Sequence, residues 1–161
     1  TGIGVGIVHS GTISNGTSHP EIGHIRAPRH AEDLAFAGVC PFHGDCLEGL
    51  ASGPAIFERW QTTLSDLDQE HEAHDIEAFY LGQLAANIAL HHRPEKIIFG
   101  GGVSQTASLI PRIRKECQSA LGGYLPALDS PDATTSLILP PRLGTDSGIR
   151  GAYLLGKAVM G

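Results

Sequence analysis

The sequence predicts an α/β fold, and three observations carry that expectation. Short β-branched apolar runs alternate with helical patterns, as they do when strands and helices pack in layers. Charged residues make up only 17% of the chain while glycine reaches 21 residues. An average soluble domain carries ~25% charge, so this balance suggests compact structure with many tight turns. The length of 161 residues is enough to bury a core without disulfides, in one ordinary domain or in a large piece of a two-domain protein.

Ile3 to Val8 reads as a strand and Thr12 to Ser14 as its partner across a Ser10-Gly11 turn. Residues 16 to 45 hold much Gly, Pro and His without a clear period. Unstructured stretches of that length are uncommon unless they are functional or held by something else. Cys46 to Ala51 reads as a short helical turn. Ser52 then caps a second helix with Pro54 in its first turn, where a missing N–H costs little. Residues 70 to 92 give the strongest helix, with Ile76, Phe79, Tyr80, Leu84 and Ile88 on one apolar face and Pro94 ending it. Lys96 to Phe99 reads as a buried strand meeting the turn Gly100-Gly101-Gly102. Residues 106 to 121 form the next helix, Leu137 to Leu139 a short strand, and Asp146 or Ser147 caps a last helix to about Met160.

The formal net charge is −6 and no Lys/Arg run is present. Nucleic acid and anionic membrane surfaces are therefore not expected partners. No apolar stretch approaches the ~20 residues of a membrane-spanning helix. No export signal is visible, so a cytoplasmic location is expected.

Three cysteines cannot all pair internally, and without an export signal close Cys and His residues suggest metal before disulfide. Cys40-Pro41-Phe42-His43-Gly44-Asp45-Cys46 sets Cys40, His43 and Cys46 three residues apart. Thiolate and imidazole are the ligands zinc prefers, and four protein ligands close a structural site. The fourth is expected from the same irregular stretch, with His24 favoured and His19 and His30 as alternatives. A bound metal supplies the order that a loop of roughly thirty aperiodic residues lacks. The remaining chemistry-bearing residues read as ordinary. Cys117 is a core residue, His71, His74, His91 and His92 are solvated helix residues, and Glu70, Glu72, Asp75 and Glu77 form an acidic solvated face.

The run His19-Pro20-Glu21-Ile22-Gly23-His24, followed by Cys40 to Ala55, closely resembles bacterial fructokinases of the ROK sugar-kinase family. Thr1-Gly2-Ile3-Gly4-Val5-Gly6 resembles the family's second phosphate-binding motif without its first residues. Ile97-Ile98-Phe99-Gly100-Gly101-Gly102-Val103 resembles its adenosine motif. The likeness covers essentially the whole chain, although many relatives carry a cysteine where His43 stands.

The resemblance implies an actin-like/hexokinase-like (ribonuclease H-like) ATPase fold of two α/β lobes. This chain would be the C-terminal lobe, with a zinc-stabilised loop over residues 19–54 and the N-terminal lobe missing. It implies phosphorylation of fructose at its 6-hydroxyl by ATP, with Mg2+ carried on the nucleotide, and ROK kinases are commonly homodimers. It selects His24 as the fourth zinc ligand beside Cys40, His43 and Cys46. ATP contacts map to Thr1, Pro54, Gly102, Val103, Ser104, Gln105 and Thr106. Sugar contacts map to Glu21 and His24, with Glu48 a further candidate. No Asp here matches the family's catalytic base, which is expected upstream, so the isolated chain is expected to be inactive. Other readings within the family are a non-catalytic sugar-responsive regulator, or a kinase for mannose, glucose or an acylated amino sugar.

Overall fold

The computed structural model describes residues 2–14 and 16–160. A two-residue hairpin comes first, β1 (Val8–His9) paired antiparallel with β2 (Thr12–Ile13). Its turn is Ser10-Gly11, and both residues have positive φ (50° and 76°). Two successive left-handed residues match the right-handed twist of the flanking strands, which is why such turns favour glycine. The expected strand over Ile3 to Val8 shrinks to Val8–His9, with the Ile7 carbonyl still accepting the Ser14 N–H, because residues 2–6 find no backbone ladder among the described residues. Strand geometry without a partner leaves N–H and C=O groups unpaired. Here the Ile3 N–H is taken instead by the Glu48 carboxylate, at 2.9 Å.

The stretch from 16 to 45 is irregular as expected, broken only by single 3-10 turns at Ile22–His24 and Ala31–Asp33. Helix α1 (Leu47–Ala51) follows the cysteine loop directly, and α2 (Gly53–Trp60) starts on Ser52. The Ser52 hydroxyl accepts the Ala55 N–H, so it is the expected N-cap. Helix α3 (Ala73–His92) ends one residue before Arg93, which takes the left-handed conformation ahead of Pro94. β3 (Ile97–Ile98) lies parallel to β4 (Ile138–Leu139), with Ile97 opposite Ile138. Between them run α4 (Leu109–Leu121) and a short α5 (Pro131–Leu137), and α6 (Ser147–Met160) closes the chain. Helix α5 is absent from the expectation above. Its start signal is plain: Ser130 accepts the Ala133 N–H and Pro131 occupies the first turn.

The core lies between α3, α4 and the α1–α2 corner, built on Leu47, Leu50, Ile56, Tyr80, Leu84, Leu109, Ile113 and Ile138. Gly82 lets α4 cross α3 closely, since a Cβ there would fall 2.4 Å from that of Glu116. Cys117 is fully buried, as a core residue should be.

Two residues expected on a solvated face are not there. His74 and Glu77 are completely buried, whereas Glu70, Glu72 and Asp75 are exposed. Helix α3 packs against α4 on one side and against α1 on another, so its buried surface is wider than one stripe. Reading a single apolar face left positions 74 and 77 on the wrong side. Helix α6 is the opposite case: Ile149, Tyr153, Leu154 and Leu155 are large apolar residues exposed to solvent.

Candidate metal centre and ligand cleft

The cysteine loop closes on itself before any metal is considered. Cys40 and Gly44 exchange backbone hydrogen bonds (3.1 and 2.8 Å), with Gly44 at φ +63°. Gly49 in α1 lies directly beneath, where a Cβ would sit 1.9 Å from the Gly44 carbonyl oxygen. Outside the loop, the Ile25 carbonyl accepts the Leu47 N–H and thereby brings the segment carrying His24 alongside. Phe42, at the loop tip, is 83% exposed and anchors nothing.

The result is one cluster, His24, Cys40, His43 and Cys46, whose ligand atoms all lie within 4.8 Å of one another. His24 Nδ1 is 3.7 Å from Cys40 Sγ and 3.5 Å from Cys46 Sγ, and His43 Nδ1 is 3.7 Å from Cys40 Sγ. A tetrahedral zinc with ordinary Zn–S and Zn–N bonds separates S and N by about 3.6 Å. The donor set and its spacing therefore fit zinc. Of the alternatives for the fourth position, His19 is exposed and pairs with Glu21 at 2.6 Å. His30 caps the 3-10 turn at Glu32 N and packs its ring on Phe79. Neither is part of the cluster.

Burial pushes both thiols up. At Cys40 the backbone groups of Phe42 and His43, together with Cys46 and His43 side chains, outweigh burial and bring its pKa down to about 6. Cys46, fully buried and facing Cys40, stays raised. The two shifts have opposite signs, because a charge on one thiol disfavours a charge on its neighbour.

His24 turns its other nitrogen outward. Nε2 lies 3.8 Å from Glu48 Oε1, while Glu48 Oε2 accepts the Ile3 N–H. A metal-bound imidazole commonly faces a carboxylate in this way. Glu48 is thus beside His24, whereas Glu21 is exposed at the start of the Ile22–His24 turn.

A cleft of about 520 Å3 shares Gly2 and Ser52 with a smaller recess that Cys40 and Glu48 line. Its walls are Gly2–Gly4, the run Ile98 to Thr106, the α1–α2 corner at Ser52-Gly53, and Thr62 to Ser65. Gly101 has φ +98°, and the Ser104 hydroxyl donates to the Gly101 carbonyl at 3.0 Å. The Thr106 hydroxyl is buried with no partner among the described residues. All five residues from Gly102 to Thr106 line the cleft. Pro54 does not; it lines the smaller recess with Gly2, Cys40, Pro41, Glu48 and Ser52. Thr1 lies outside the described residues. The wall from Thr62 to Ser65 was missed by sequence reasoning, since Thr-Thr-Leu-Ser after a helix reads as an ordinary connection.

The family model described as the ROK family matches residues 1–159. A Bacillus subtilis (strain 168) protein provisionally named a fructokinase is 42% identical over 160 residues, covering 99% of this chain and 53% of that protein. The Zymomonas mobilis fructokinase is 36% identical over 98% of this chain and 52% of its own length. The crystal structure of a ROK hexokinase from Thermus thermophilus superposes with a TM-score of 0.62 at 25% identity, covering 98% of this chain and 56% of that one. This chain belongs to the ROK family and has the α/β, hexokinase-like fold of its structures. It spans about half the length of the curated relatives it matches.

Proposed function

We propose that this chain is the C-terminal lobe of an ATP-dependent fructose kinase, supplying the zinc loop, the sugar-facing groups and the adenosine cleft. One observation carries the reading: the Gly2–Ile3 segment lines the 520 Å3 cleft and also donates to Glu48, beside His24 of the metal cluster. Phosphoryl transfer needs the terminal phosphate and the accepting hydroxyl in line and close together. Here the glycine-lined cleft shares Gly2 and Ser52 with the smaller recess that Cys40 and Glu48 line. The fructokinase names of relatives at 36–42% identity support the choice of sugar.

In this reading zinc supplies a fixed cross-link through His24, Cys40, His43 and Cys46. Glu21 and Glu48 accept hydrogen bonds from sugar hydroxyls, and His24, with Nδ1 on zinc, donates from its Nε2–H. Thr1, Pro54 and the run Gly102 to Thr106 contact the nucleotide, with backbone N–H groups approaching phosphate oxygens where no side chain intervenes. Mg2+ arrives with ATP and offsets phosphate charge. The base that removes the sugar proton belongs to the other half of the full-length protein.

The test is a coupled assay of ADP release on the full-length protein with fructose, glucose and mannose. Fructose is expected to give the highest kcat/KM, and the 161-residue chain alone to give no turnover. Equal or better turnover on glucose or mannose refutes the fructose assignment.

A further inference from the structure

Beneath the metal loop lies a buried polar cluster that the reading above does not use. Asp33 and Arg59 form an ion pair whose side chains are 4% and 6% exposed. Arg59 donates from Nε and Nη2 to the two Asp33 oxygens, at 2.8 and 2.7 Å. The Tyr80 hydroxyl donates to Asp33 Oδ2 at 2.7 Å and accepts the His30 N–H at 3.2 Å. Asp33 therefore receives three donors from two helices, α2 and α3, although it sits in the irregular stretch.

The cluster reaches in two directions. Arg59 Nη1 donates to the carbonyls of Leu50 and Ala55, which ties it to the α1–α2 corner, and its guanidinium lies 3.8 Å over the Phe36 ring. Arg29 donates to the carbonyls of Asp33 and Phe36 and contacts Asp45, the residue between Gly44 and Cys46, at 3.4 Å. A chain of bonded polar groups thus runs from helix α3 to the metal loop. Glu77, fully buried nearby, is held well above its ordinary pKa by burial, with Arg59 opposing and Asp33 adding to the shift.

We propose that Asp33, Arg59 and Tyr80 are positioning residues: a buried clamp that seats the metal loop on α2 and α3 and so controls how firmly His24, Cys40, His43 and Cys46 keep their ion. The inference rests on the reading of that centre as a zinc site. An aperiodic loop has few apolar contacts to hold it, and an ion pair that satisfies its donors internally restricts opening of the segment. Groups hydrogen-bonded to a metal's ligands commonly change its affinity by about 10- to 100-fold, and this clamp acts further out, through Arg29 and Asp45.

The experiment loads the purified chain with zinc and follows release to excess metallochromic chelator in wild type, Asp33→Asn, Arg59→Lys and Tyr80→Phe. Hydrogen exchange is measured alongside. Release is expected to be several-fold faster for Asp33→Asn and for Tyr80→Phe, short of the ~10- to 100-fold that groups bonded directly to a ligand produce. Amides of residues 30–46 should lose protection while those of α4 keep theirs. Release within twofold of wild type overturns the proposal, as does an equal loss of protection in α4, which marks the cluster as plain core. If the charge variants do not fold, Tyr80→Phe decides by the same readings, since it deletes one hydroxyl and keeps the ring. If wild type takes up no zinc, the metal reading fails on its own and the exchange comparison still decides the clamp.

Discussion

Glu77 shows how far one buried carboxyl can shape stability. It has no hydrogen-bond partner among the described residues, and burial raises its pKa well above the ordinary 4.5, with Asp33 adding and Arg59 opposing. The folded chain therefore binds the Glu77 proton more tightly than the unfolded chain does. That stabilisation is fully present below about 4.5 and is lost as pH rises through the folded-state value. Glu77→Gln should match wild type near pH 4 and exceed it in stability at pH 7–8, with a gap that widens as pH rises. Denaturant melts of both proteins across that range provide the check, and a constant gap contradicts the account. Such a residue was not legible in the sequence. Glu70, Glu72, Asp75 and Glu77 fall in one stretch that reads as helix, yet Glu70 and Glu72 precede α3 and only Glu77 of the four is buried. The metal ligands were more legible, because cysteine and histidine at spacings of three report their own chemistry. Spacing alone left the fourth position open among three histidines. The fold closes it by bonding Leu47 to Ile25 and bringing His24 to the thiols.

At the scale of elements, caps and breakers were the readable part. Ser52 and Pro54 opened α2, Ser10-Gly11 turned the hairpin, and Pro94 followed the end of α3. What failed was strand extent, because a strand exists only where a partner ladder does, and residues 2–6 have none among those described. The turn between β3 and α4 carries a prediction of its own. Gly102 has φ −60° and ψ −45°, a conformation open to any residue, and a Cβ built on it meets nothing within 4 Å. The fold therefore does not require glycine there, whereas a phosphate-bearing ligand approaching the backbone does. Gly102→Ala is expected to leave the melting temperature unchanged or slightly raised and to weaken ATP binding about tenfold or more in the full-length protein, read by calorimetric titration. Unchanged affinity would remove Gly102 from the nucleotide contacts.

The whole molecule combines a well-buried helical core with surfaces that the described residues leave open. α3 and α4 carry that core, while α6 exposes Ile149, Tyr153, Leu154 and Leu155, and no helix among the described residues is long and apolar enough to cross a membrane. The chain spans about half of its curated relatives, so the division of labour proposed above places metal, sugar-facing groups and adenosine cleft on this half. Of these, the metal centre is the loop from Cys40 to Cys46 with His24, and the account depends first on that loop holding zinc. Zinc K-edge absorption on the purified chain tests this most directly. The account predicts about one zinc per chain in a shell of two sulfurs at ~2.3 Å and two nitrogens at ~2.0 Å, lost in Cys46→Ser. A metal-free chain, or a full zinc complement retained when both Cys40 and Cys46 are replaced, would contradict it.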